Sequence, residues 1–410
     1  MDKKRFVMLV TTICLSLILA VASFVAAGSK PKILKVGGLQ FFGAPIGIQT
    51  KKTLELLAEQ LNKAGGLTIG GETYKFEVIV EDFKMSTELA RAAAERLVHK
   101  ENVIAIISVM DAGANLAAME LTEPKKIITM GAASPPALVS TKYKYHFNTG
   151  GISFEVIGFH GWVGTHGPKL KTGVIIEPDD ESGRAVGARE KLVCERLFGQ
   201  DAEIVYTTRG IKDYSPLAIK IKSRNPDFVS FSAMGQGPGA VLIAKALYEA
   251  GYRGQIRATL GASAAQQAIN SGRPELFANA YVGFTDPSTI PNPSPEILAF
   301  RKAYEAKYGV WESDYIPFVD WEVLINGLKR ANSLDSDKLV AAIEGLELQT
   351  LGGHLKMVPR PDLGQTRAVD SIRTRYMGQV VGKKIVCRGE IPVEDHFKWA
   401  KTVYGVSFEK

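Results

Sequence analysis

Hydrophobic and polar residues follow two recurring patterns along this chain: short runs of aliphatic and β-branched residues, and longer segments with apolar residues at helical spacing. Runs at 33–39, 74–81, 103–109 and 127–130 predict strands. Segments at 47–63, 88–100 and 115–122 place apolar residues three and four positions apart, which predicts helices. Such regular alternation is typical of a parallel sheet that is covered by helices on both faces.

The alternation then repeats in the second half of the chain. Strands are predicted at 173–176, 204–206, 228–231 and 256–260, and helices at 154–166, 183–198, 215–223 and 238–250. A further strand at 281–285 leads into a proline-containing loop at 287–295, where the prolines preclude regular structure. Helices at 296–308, 318–331 and 338–344 and two edge strands at 370–377 and 379–386 follow. Two successive α/β units of similar size predict two lobes.

Length and composition support two cores and exclude several functional classes. The 410 residues exceed what a single hydrophobic core usually serves. The formal charge is +7, but the 50 basic and 43 acidic residues are scattered without a long Lys/Arg tract, so nucleic-acid binding is not expected. Beyond the N-terminal segment, no stretch is long and apolar enough to predict a transmembrane helix.

Residues with catalytic or metal-binding chemistry are few. Cys194 and Cys387 lack the spacing of metal ligands and predict either one disulfide or two free thiols. His160 and His166 lie in a predicted surface helix, without a carboxylate or Cys at useful spacing. No Ser lies in a Gly-x-Ser-x-Gly turn with clear catalytic partners. We therefore expect no enzymatic activity, no cofactor and no bound metal.

The N-terminal segment predicts where the protein works. Lys3, Lys4 and Arg5 precede an uncharged run at 6–27 that ends in small residues, as in a secretory signal peptide. We predict cleavage after Ala27, with residues 1–27 removed. The alternative is an uncleaved anchor, because the uncharged run is long enough to cross a bilayer, which needs about 20 residues. Either way, we expect a periplasmic or otherwise extracytoplasmic protein.

Several segments carry a family likeness. The runs at 36–48, 78–82 and 225–229, the Asn-Lys-Ala-Gly-Gly-Leu helix end at 62–67 and the Ala-Ala-Ser loop at 132–134 resemble extracytoplasmic solute receptors of the leucine/isoleucine/valine-binding-protein type. The likeness extends over residues 33–386. It implies a type I periplasmic-binding fold, in which two doubly wound α/β lobes are joined by three crossovers and close on a ligand. The implied division assigns 28–151 plus 284–356 to lobe 1, and 152–283 plus 357–410 to lobe 2.

The ligand site is expected between the lobes. In open α/β sheets, ligands bind beyond the carboxyl ends of the strands, which indicates the loops near 40, 110, 132, 180, 233 and 262. Together with the resemblance, this gives nine candidate ligand-binding residues: Phe41, Asp111, Ala112, Ala132, Ser134, Phe154, Ser182, Met234 and Ser263. The apolar candidates, with Phe42, could equally line an apolar cleft or pack in the core.

Asp111 is the candidate that departs most from the family. The resemblance implies a hydroxyl and a backbone N–H for the ligand carboxylate at this position, and a carboxylate would repel that ligand. Two unit charges about 4 Å apart cost ~4 kcal/mol at an effective dielectric of 20. The alternative is that Asp111 caps the following helix.

The remaining polar candidates also restrict the ligand. The resemblance implies that the Ala132 carbonyl and the Ser134 hydroxyl and N–H hold an amino or carboxyl group, unless Ser134 only begins a Ser-Pro turn. The family's aromatic hydroxyls correspond here to Ser182 and Met234, and its ammonium-binding carboxylate to the neighbourhood of Ser263. An ordinary amino-acid zwitterion is therefore expected to bind poorly.

The resemblance implies a function in solute capture. We expect a monomeric protein that binds a small organic solute, an amino acid or an analogue, by lobe closure and delivers it to the permease of an ABC importer. The alternative is a membrane-tethered ligand sensor of the same fold that passes a signal to a partner receptor. An uncleaved N-terminus would favour the sensor.

Overall fold

The computed structural model describes residues 32–43, 45–109, 111–132, 135–150, 152–235, 238–284, 286–311 and 316–408. The predicted signal peptide, its cleavage site and the candidate Ser134 lie outside these residues. Within them, no helix combines the length and apolar character that crossing a bilayer would require.

Strands and helices alternate along the chain as the hydrophobic pattern predicts. The strands are β1 (Lys32–Gln40), β2 (Leu67–Ile69), β3 (Glu72–Asp82), β4 (Ala105–Val109), β5 (Ile128–Gly131), β6 (His146–Asn148), β7 (Thr172–Pro178), β8 (Asp201–Thr207), β9 (Phe228–Ser230), β10 (Gln255–Ala258), β11 (Tyr281–Phe284), β12 (Glu347–Thr350), β13 (Gly353–Arg360), β14 (Gln365–Arg373), β15 (Arg375–Val381) and β16 (Lys384–Ile391). The α-helices are α1 (Pro45–Lys63), α2 (Thr87–Glu95), α3 (Ala112–Thr122), α4 (Ile152–His166), α5 (Glu181–Phe198), α6 (Ser215–Arg224), α7 (Pro238–Glu249), α8 (Ala262–Asn270), α9 (Pro295–Tyr308), α10 (Ile316–Ala331), α11 (Ser336–Glu344) and α12 (Val393–Tyr404).

The first sheet forms the centre of lobe 1. Its strand order in the described residues is β12-β13-β14-β6-β5-β4-β1-β3-β2. The central strands are parallel, and antiparallel hairpins extend the sheet at both edges. The five residues of β4 are all buried, because helices cover both faces of a parallel sheet.

The second sheet forms the centre of lobe 2. Its strand order is β16-β15-β11-β10-β9-β7-β8, with parallel pairing from β8 to β11 and antiparallel pairing of β11, β15 and β16. Helix α12 packs on α4 in this lobe, where Trp399 and Phe397 join one buried cluster with Phe154. Two α/β sheets of this kind confirm the predicted fold class.

The expected boundary between the lobes near residue 357 is wrong. Strand β13 continues to Arg360, and β14 pairs with β6 in the first sheet, Asp370 opposite Asn148. The chain enters the second sheet only at Arg375, where β15 begins. The residues just after the expected boundary include a short 3₁₀ segment, Pro361–Leu363, which lies inside a hairpin of lobe 1.

The chain passes between the lobes three times: between β6 and α4, after β11, and between β14 and β15. Two of these crossovers are joined by buried hydrogen bonds. The Ser371 hydroxyl donates to the Thr149 carbonyl at 2.6 Å, and Arg375 Nη2 donates to the Gly150 carbonyl at 2.6 Å. The first and third crossovers therefore form one connected hinge.

The two cysteines are separate thiols. Cys194 is buried in lobe 2 and Cys387 lies on the edge strand β16. Burial raises the pKa of Cys194 to about 12, so this thiol is unreactive at neutral pH. Of the two alternatives left open by the sequence, the structure has the free thiols.

Candidate ligand-binding cleft

The loop after β4 presents Asp111 at the carboxyl-end edge of the first sheet. Asp111 has extended backbone angles of φ −95° and ψ 138°, and its Oδ1 accepts a hydrogen bond of 2.8 Å from the Ala114 N–H. It therefore caps α3, of which the candidate Ala112 is the first residue. Asn115 secures the same loop, because its amide donates to the carbonyls of Val109 and Asp111. The Asp111 side chain is only half-buried, so its charge remains at the rim.

The loop after β5 lies directly against the first crossover. Ala132 is fully buried, and its N–H donates to the Val109 carbonyl at 2.9 Å. A Cβ atom at Gly150 would lie 2.0 Å from the Ala132 Cβ, so only glycine fits between this loop and the hinge. Any rearrangement of the hinge is therefore transmitted to the Ala132 loop by direct contact.

The aromatic candidates fall in two different environments. Phe41 and Phe42 follow β1 and are half-buried at the edge of the sheet, and Lys51 lies over the Phe42 ring at 5.6 Å. Phe154, in contrast, is 1% exposed and packs edge to face on Phe408 with ring centroids 5.2 Å apart. Phe154 packs in a buried cluster with Val358 and Ile372 of lobe 1 and with the C-terminal segment, which favours the core alternative for this residue.

Three candidates lie at the carboxyl-end edge of the second sheet. Ser182 is half-buried in the first turn of α5, Met234 is buried in the loop after β9, and Ser263 is exposed in the first turn of α8. All three follow the carboxyl ends of adjacent parallel strands, β7, β9 and β10. Their proximity follows from the topology of a parallel sheet, whose strand ends share one edge.

Glu177, at the end of β7, positions the Met234 loop, a role that the sequence pattern did not predict. Its buried carboxylate accepts the backbone N–H groups of Ser232, Ala233 and Met234 at 2.7 to 3.2 Å. Burial raises the pKa of Glu177 and the nearby Glu190 adds to this, whereas the three N–H groups favour the carboxylate. The Met234 loop is thus held by a buried acid, and these N–H groups point into lobe 2 rather than towards a ligand.

A cluster of buried polar groups continues below Glu177. Glu190 accepts a hydrogen bond of 3.0 Å from the Ser232 hydroxyl and lies 3.2 Å from His160 Nε2. Burial raises the pKa of Glu190 to about 7 and lowers that of His160 well below its ordinary value. The prediction that His160 lies on a surface helix is wrong, since its side chain is fully buried under the loops of the cleft.

Arg209 is a second residue near the candidate loops that is not among the nine candidates predicted from the sequence. It follows β8, and its side chain reaches over two neighbouring loops: Nε donates to Asp180 Oδ2 at 2.6 Å, and Nη1 lies 3.4 Å from the Ala233 carbonyl. The side chain is 44% exposed. Its position in the sequence could have indicated this residue. Arg209 lies in the loop after the edge strand β8, at the same edge of the sheet as the loops that carry the other candidates. In the described part of the chain, no group of three His, Cys, Asp or Glu side chains is arranged to hold a metal ion.

The candidate residues lie in loops at the strand ends of two sheets, and comparison with known proteins identifies the family. A profile of the periplasmic binding protein family matches residues 34–373. The chain belongs to this family. The leucine-, isoleucine-, valine-, threonine-, and alanine-binding protein of Pseudomonas aeruginosa is 22% identical over 348 residues, which cover 83% of this chain and 89% of the relative.

Solved structures of periplasmic binding proteins share the fold. The leucine-binding protein LivK of Thermotoga maritima superposes with a TM-score of 0.73 at 19% identity, covering 88% of this chain and 99% of that one. A solute-binding protein of an ABC transporter from R. palustris, in complex with benzoate, has a TM-score of 0.69 at 18% identity, covering 88% and 96%. These likenesses confirm the type I fold.

Membership of the periplasmic binding protein family also settles the broad class of this chain. The family consists of extracytoplasmic solute-binding proteins of ABC transporters rather than enzymes. The expectation that this chain is not an enzyme is therefore confirmed by its family.

Proposed function

We propose that this protein captures an amino acid or a related small organic solute outside the cytoplasm by hinge closure and delivers it to the permease of an ABC importer. The observation that supports the proposal is that both lobes carry candidate residues in the loops after the carboxyl ends of parallel strands: Asp111 and Ala132 after β4 and β5, and Ser182 and Met234 after β7 and β9.

Closure would couple binding to delivery. A ligand that contacts both lobes only in the closed form shifts the open–closed equilibrium towards that form, and the shift cannot exceed its differential affinity for the two forms. The joined crossovers at Thr149 and Ser371 provide the axis about which the lobes would rotate. A permease that recognises the closed form then receives loaded protein in preference to empty protein.

The ligand class is supported by the lining of the cleft and by the relatives. The half-buried Phe41 and Phe42 would provide apolar contact, from which most small-molecule sites gain affinity. The relatives include a protein named for branched-chain amino acids and one bound to benzoate. We infer that the solute has an apolar group about the size of a branched aliphatic side chain or a benzene ring.

The proposal is tested with the purified protein. Compounds released on denaturation are identified by mass spectrometry, and a thermal-shift panel of amino acids, amides and aromatic acids is screened. We expect at least one small organic solute to stabilise the protein and to reduce its radius of gyration in small-angle X-ray scattering. A protein that neither carries nor binds such a solute, or that binds one without closing, would contradict the proposal.

The N-terminal segment distinguishes transport from sensing. Its uncharged run at 6–27 suits either a cleaved signal peptide or an anchor. We propose cleavage after Ala27, which predicts a mature chain that starts at Gly28 and elutes as a monomer in size-exclusion chromatography. A mature protein that retains residues 1–27 in the membrane would favour the tethered sensor instead.

A further inference from the structure

The charges at the two faces of the cleft are opposite to those that the family resemblance implies. On lobe 1, the loop after β4 carries Asp111, whose carboxylate caps α3 and disfavours a ligand anion at that position. On lobe 2, the loops after β7, β8 and β9 are joined by the guanidinium of Arg209. A ligand anion is therefore disfavoured beside Asp111, whereas the guanidinium of Arg209, paired on one side with Asp180, provides a cationic donor on lobe 2.

The location of Arg209 follows from the order of the second sheet. Strands β9, β7 and β8 are neighbours in that order, and β8 pairs with β7 up to Thr207 opposite Pro178. Arg209 comes two residues later and extends back across the end of β7 to the Ala233 carbonyl beside Met234. The guanidinium thus lies among the same loops that carry Ser182 and Met234.

Arg209 has donors left for a ligand. A guanidinium carries five N–H donors. Among the described residues, its hydrogen bonds are those of Nε to Asp180 and the long bond of Nη1 to Ala233, so Nη2 has no protein partner. Elsewhere in this protein, Arg360 binds the carboxylates of Asp362 and Asp370 together, at 2.7 and 2.8 Å. Pairing with Asp180 therefore leaves Arg209 able to bind a second carboxylate.

Backbone donors do not compete for this role. The N–H groups of Ser232, Ala233 and Met234 are all taken by the buried Glu177, so this loop cannot bind an anion as a helix-end or turn site would. Arg209 and Arg184 are charged donors at this part of the lobe 2 edge, and of the two it is Arg209 that reaches the Ala233 carbonyl beside Met234.

We propose that Arg209 binds a carboxylate group of the solute from lobe 2, so that the ligand of this protein is a small organic acid whose carboxylate faces away from Asp111. This inference rests on the proposed function, because it names the substrate class of the same cleft. Arg209 is then a specificity-determining residue, and a neutral amide of the same shape is rejected.

The competing role for Arg209 is purely structural, as a link between the loops of Asp180 and Ala233. The variant Asp180→Asn separates the two roles, since Asn is as good a helix cap as Asp for α5 but removes the counter-ion of Arg209. If Arg209 binds the ligand, this variant retains or gains affinity for acids. If Arg209 only links the loops, the Asp180→Asn variant loses affinity for acids, as an Arg209 variant does.

The experiment compares acids with their amides by isothermal titration calorimetry. The probes are benzoate and benzamide, isovalerate and isovaleramide, and L-leucine and L-leucinamide, with glucose and spermidine as solutes that lack a carboxylate. We expect at least one acid to bind about tenfold or more tightly than its amide, as for a charge-assisted hydrogen bond. Arg209→Gln should abolish this preference and Asp180→Asn should keep it. The control Arg253→Gln, an exposed Arg of the same lobe bonded to the Tyr248 carbonyl, should leave it unchanged.

The other outcomes overturn the proposal in distinguishable ways. Equal binding of acid and amide, an acid preference that survives in Arg209→Gln, or its loss in Asp180→Asn would each remove Arg209 from the ligand site. Closure on glucose, spermidine or an amide alone would overturn the carboxylate assignment but leave solute capture intact. If no solute, including those released from the purified protein, binds with closure, both the proposed function and this inference are wrong.

Discussion

Asp111 has two separable effects, because its side chain is both a helix cap and a negative charge at the rim of the cleft. The cap is a hydrogen bond from Ala114 N–H to Oδ1 at 2.8 Å. Asn at this position can accept the same bond without the charge, whereas Ala removes both. The two substitutions therefore distinguish the contribution to stability from the contribution to ligand choice.

We predict that Asp111→Ala lowers the free energy of unfolding by about 1 kcal/mol, whereas Asp111→Asn changes it by only a few tenths. Both variants should alter ligand selectivity in the same direction, with tighter binding of acids, since both remove the repelling charge. Urea unfolding and calorimetry measure the two effects. The control is Asp335→Ala, which removes the cap that accepts the Lys338 N–H of α11, far from the cleft.

The result for Asp111 has clear alternatives. Unchanged affinities across the panel in both variants would restrict Asp111 to its capping role. A loss of acid binding in Asp111→Asn would mean that the carboxylate contacts a donor group of the ligand, which contradicts the charge layout proposed for the cleft.

The positions of individual candidate residues were predictable where strand topology alone decides them. Ser182, Met234 and Ser263 follow strand ends, and strand ends of a parallel sheet share one edge. Arg209 and Glu177 were missed because their roles depend on side-chain contacts with residues distant in sequence, Ala233 among them, that leave no periodic pattern. For Phe154 the sequence left cleft and core open, because an aromatic residue at a helix start has the same sequence pattern in either place.

Helix α4 packs unusually closely on its neighbours because of a glycine face. Cβ atoms built at Gly158, Gly161 and Gly164 would lie 2.0, 2.4 and 2.3 Å from the rings of His396, Trp399 and Phe198. Successive positions three residues apart lie on one side of a helix, so this face is reserved for large side chains of α12 and α5. The contact attaches the C-terminal helix to lobe 2.

We predict that Gly161→Ala destabilises the protein by about 1 to 3 kcal/mol, because its methyl group would overlap the buried indole of Trp399. Gly187→Ala in α5 is the matched control, since its Cβ would meet neighbours only at 3.4 Å and Ala is the better helix former. Thermal unfolding should show a lowered midpoint for the first variant and an unchanged or raised one for the second. Equal midpoints would mean that α12 can shift to accommodate the methyl group.

The accuracy of the predicted elements depended on how local their determinants are. The alternation of β1, β3, β4 and β5 with α1 to α3 could be predicted because β4 and β5 are buried on both faces and the helices have apolar sides. Strand β6 has only three residues, His146–Asn148, and was not recognised. Strand β14 pairs with this short strand, so the assignment of β14 to lobe 1 could not be inferred from the sequence. The boundary between the lobes was therefore predicted near residue 357, too early in the chain.

Buried ionisable groups make the stability of the entire protein depend on pH. Glu322 in α10 accepts the Leu351 N–H at 2.9 Å, and burial raises its pKa to about 7. The unfolded pKa is about 4.3, so the folded protein binds more protons between these values. The stabilisation from protonated Glu322 is thus fully present below about pH 4.3 and is lost as the pH rises through 7.

We predict that Glu322→Gln, which stays neutral, gains stability over the original protein by about 3 kcal/mol between pH 4.5 and pH 8. Its amide oxygen can still accept the Leu351 N–H, so the effect isolates the charge. Urea unfolding at several pH values measures the difference, with the exposed Glu249→Gln as control. A constant difference across this range would show that Glu322 is ionised in the folded protein without penalty.

The hinge should affect all ligands alike, which separates it from the cleft. Ser371 donates to the Thr149 carbonyl at 2.6 Å where the first and third crossovers meet. Removing this bond changes the free-energy difference between the open and closed forms by up to about 1 kcal/mol. The fraction of closed protein changes accordingly. Apparent affinity is the intrinsic affinity scaled by the fraction of competent protein, which is the same for every ligand.

We predict that Ser371→Ala shifts the dissociation constants of all bound solutes by one common factor, up to about fivefold, and leaves the ratio of acid to amide unchanged. Calorimetry on the same acid and amide pairs measures both quantities, and scattering of the unliganded protein should show an altered radius of gyration. Arg209→Gln provides the contrast, since it should change the ratio. A changed ratio in Ser371→Ala would mean that this bond shapes the cleft itself, through the Gly150 contact with Ala132, rather than the angle between the lobes.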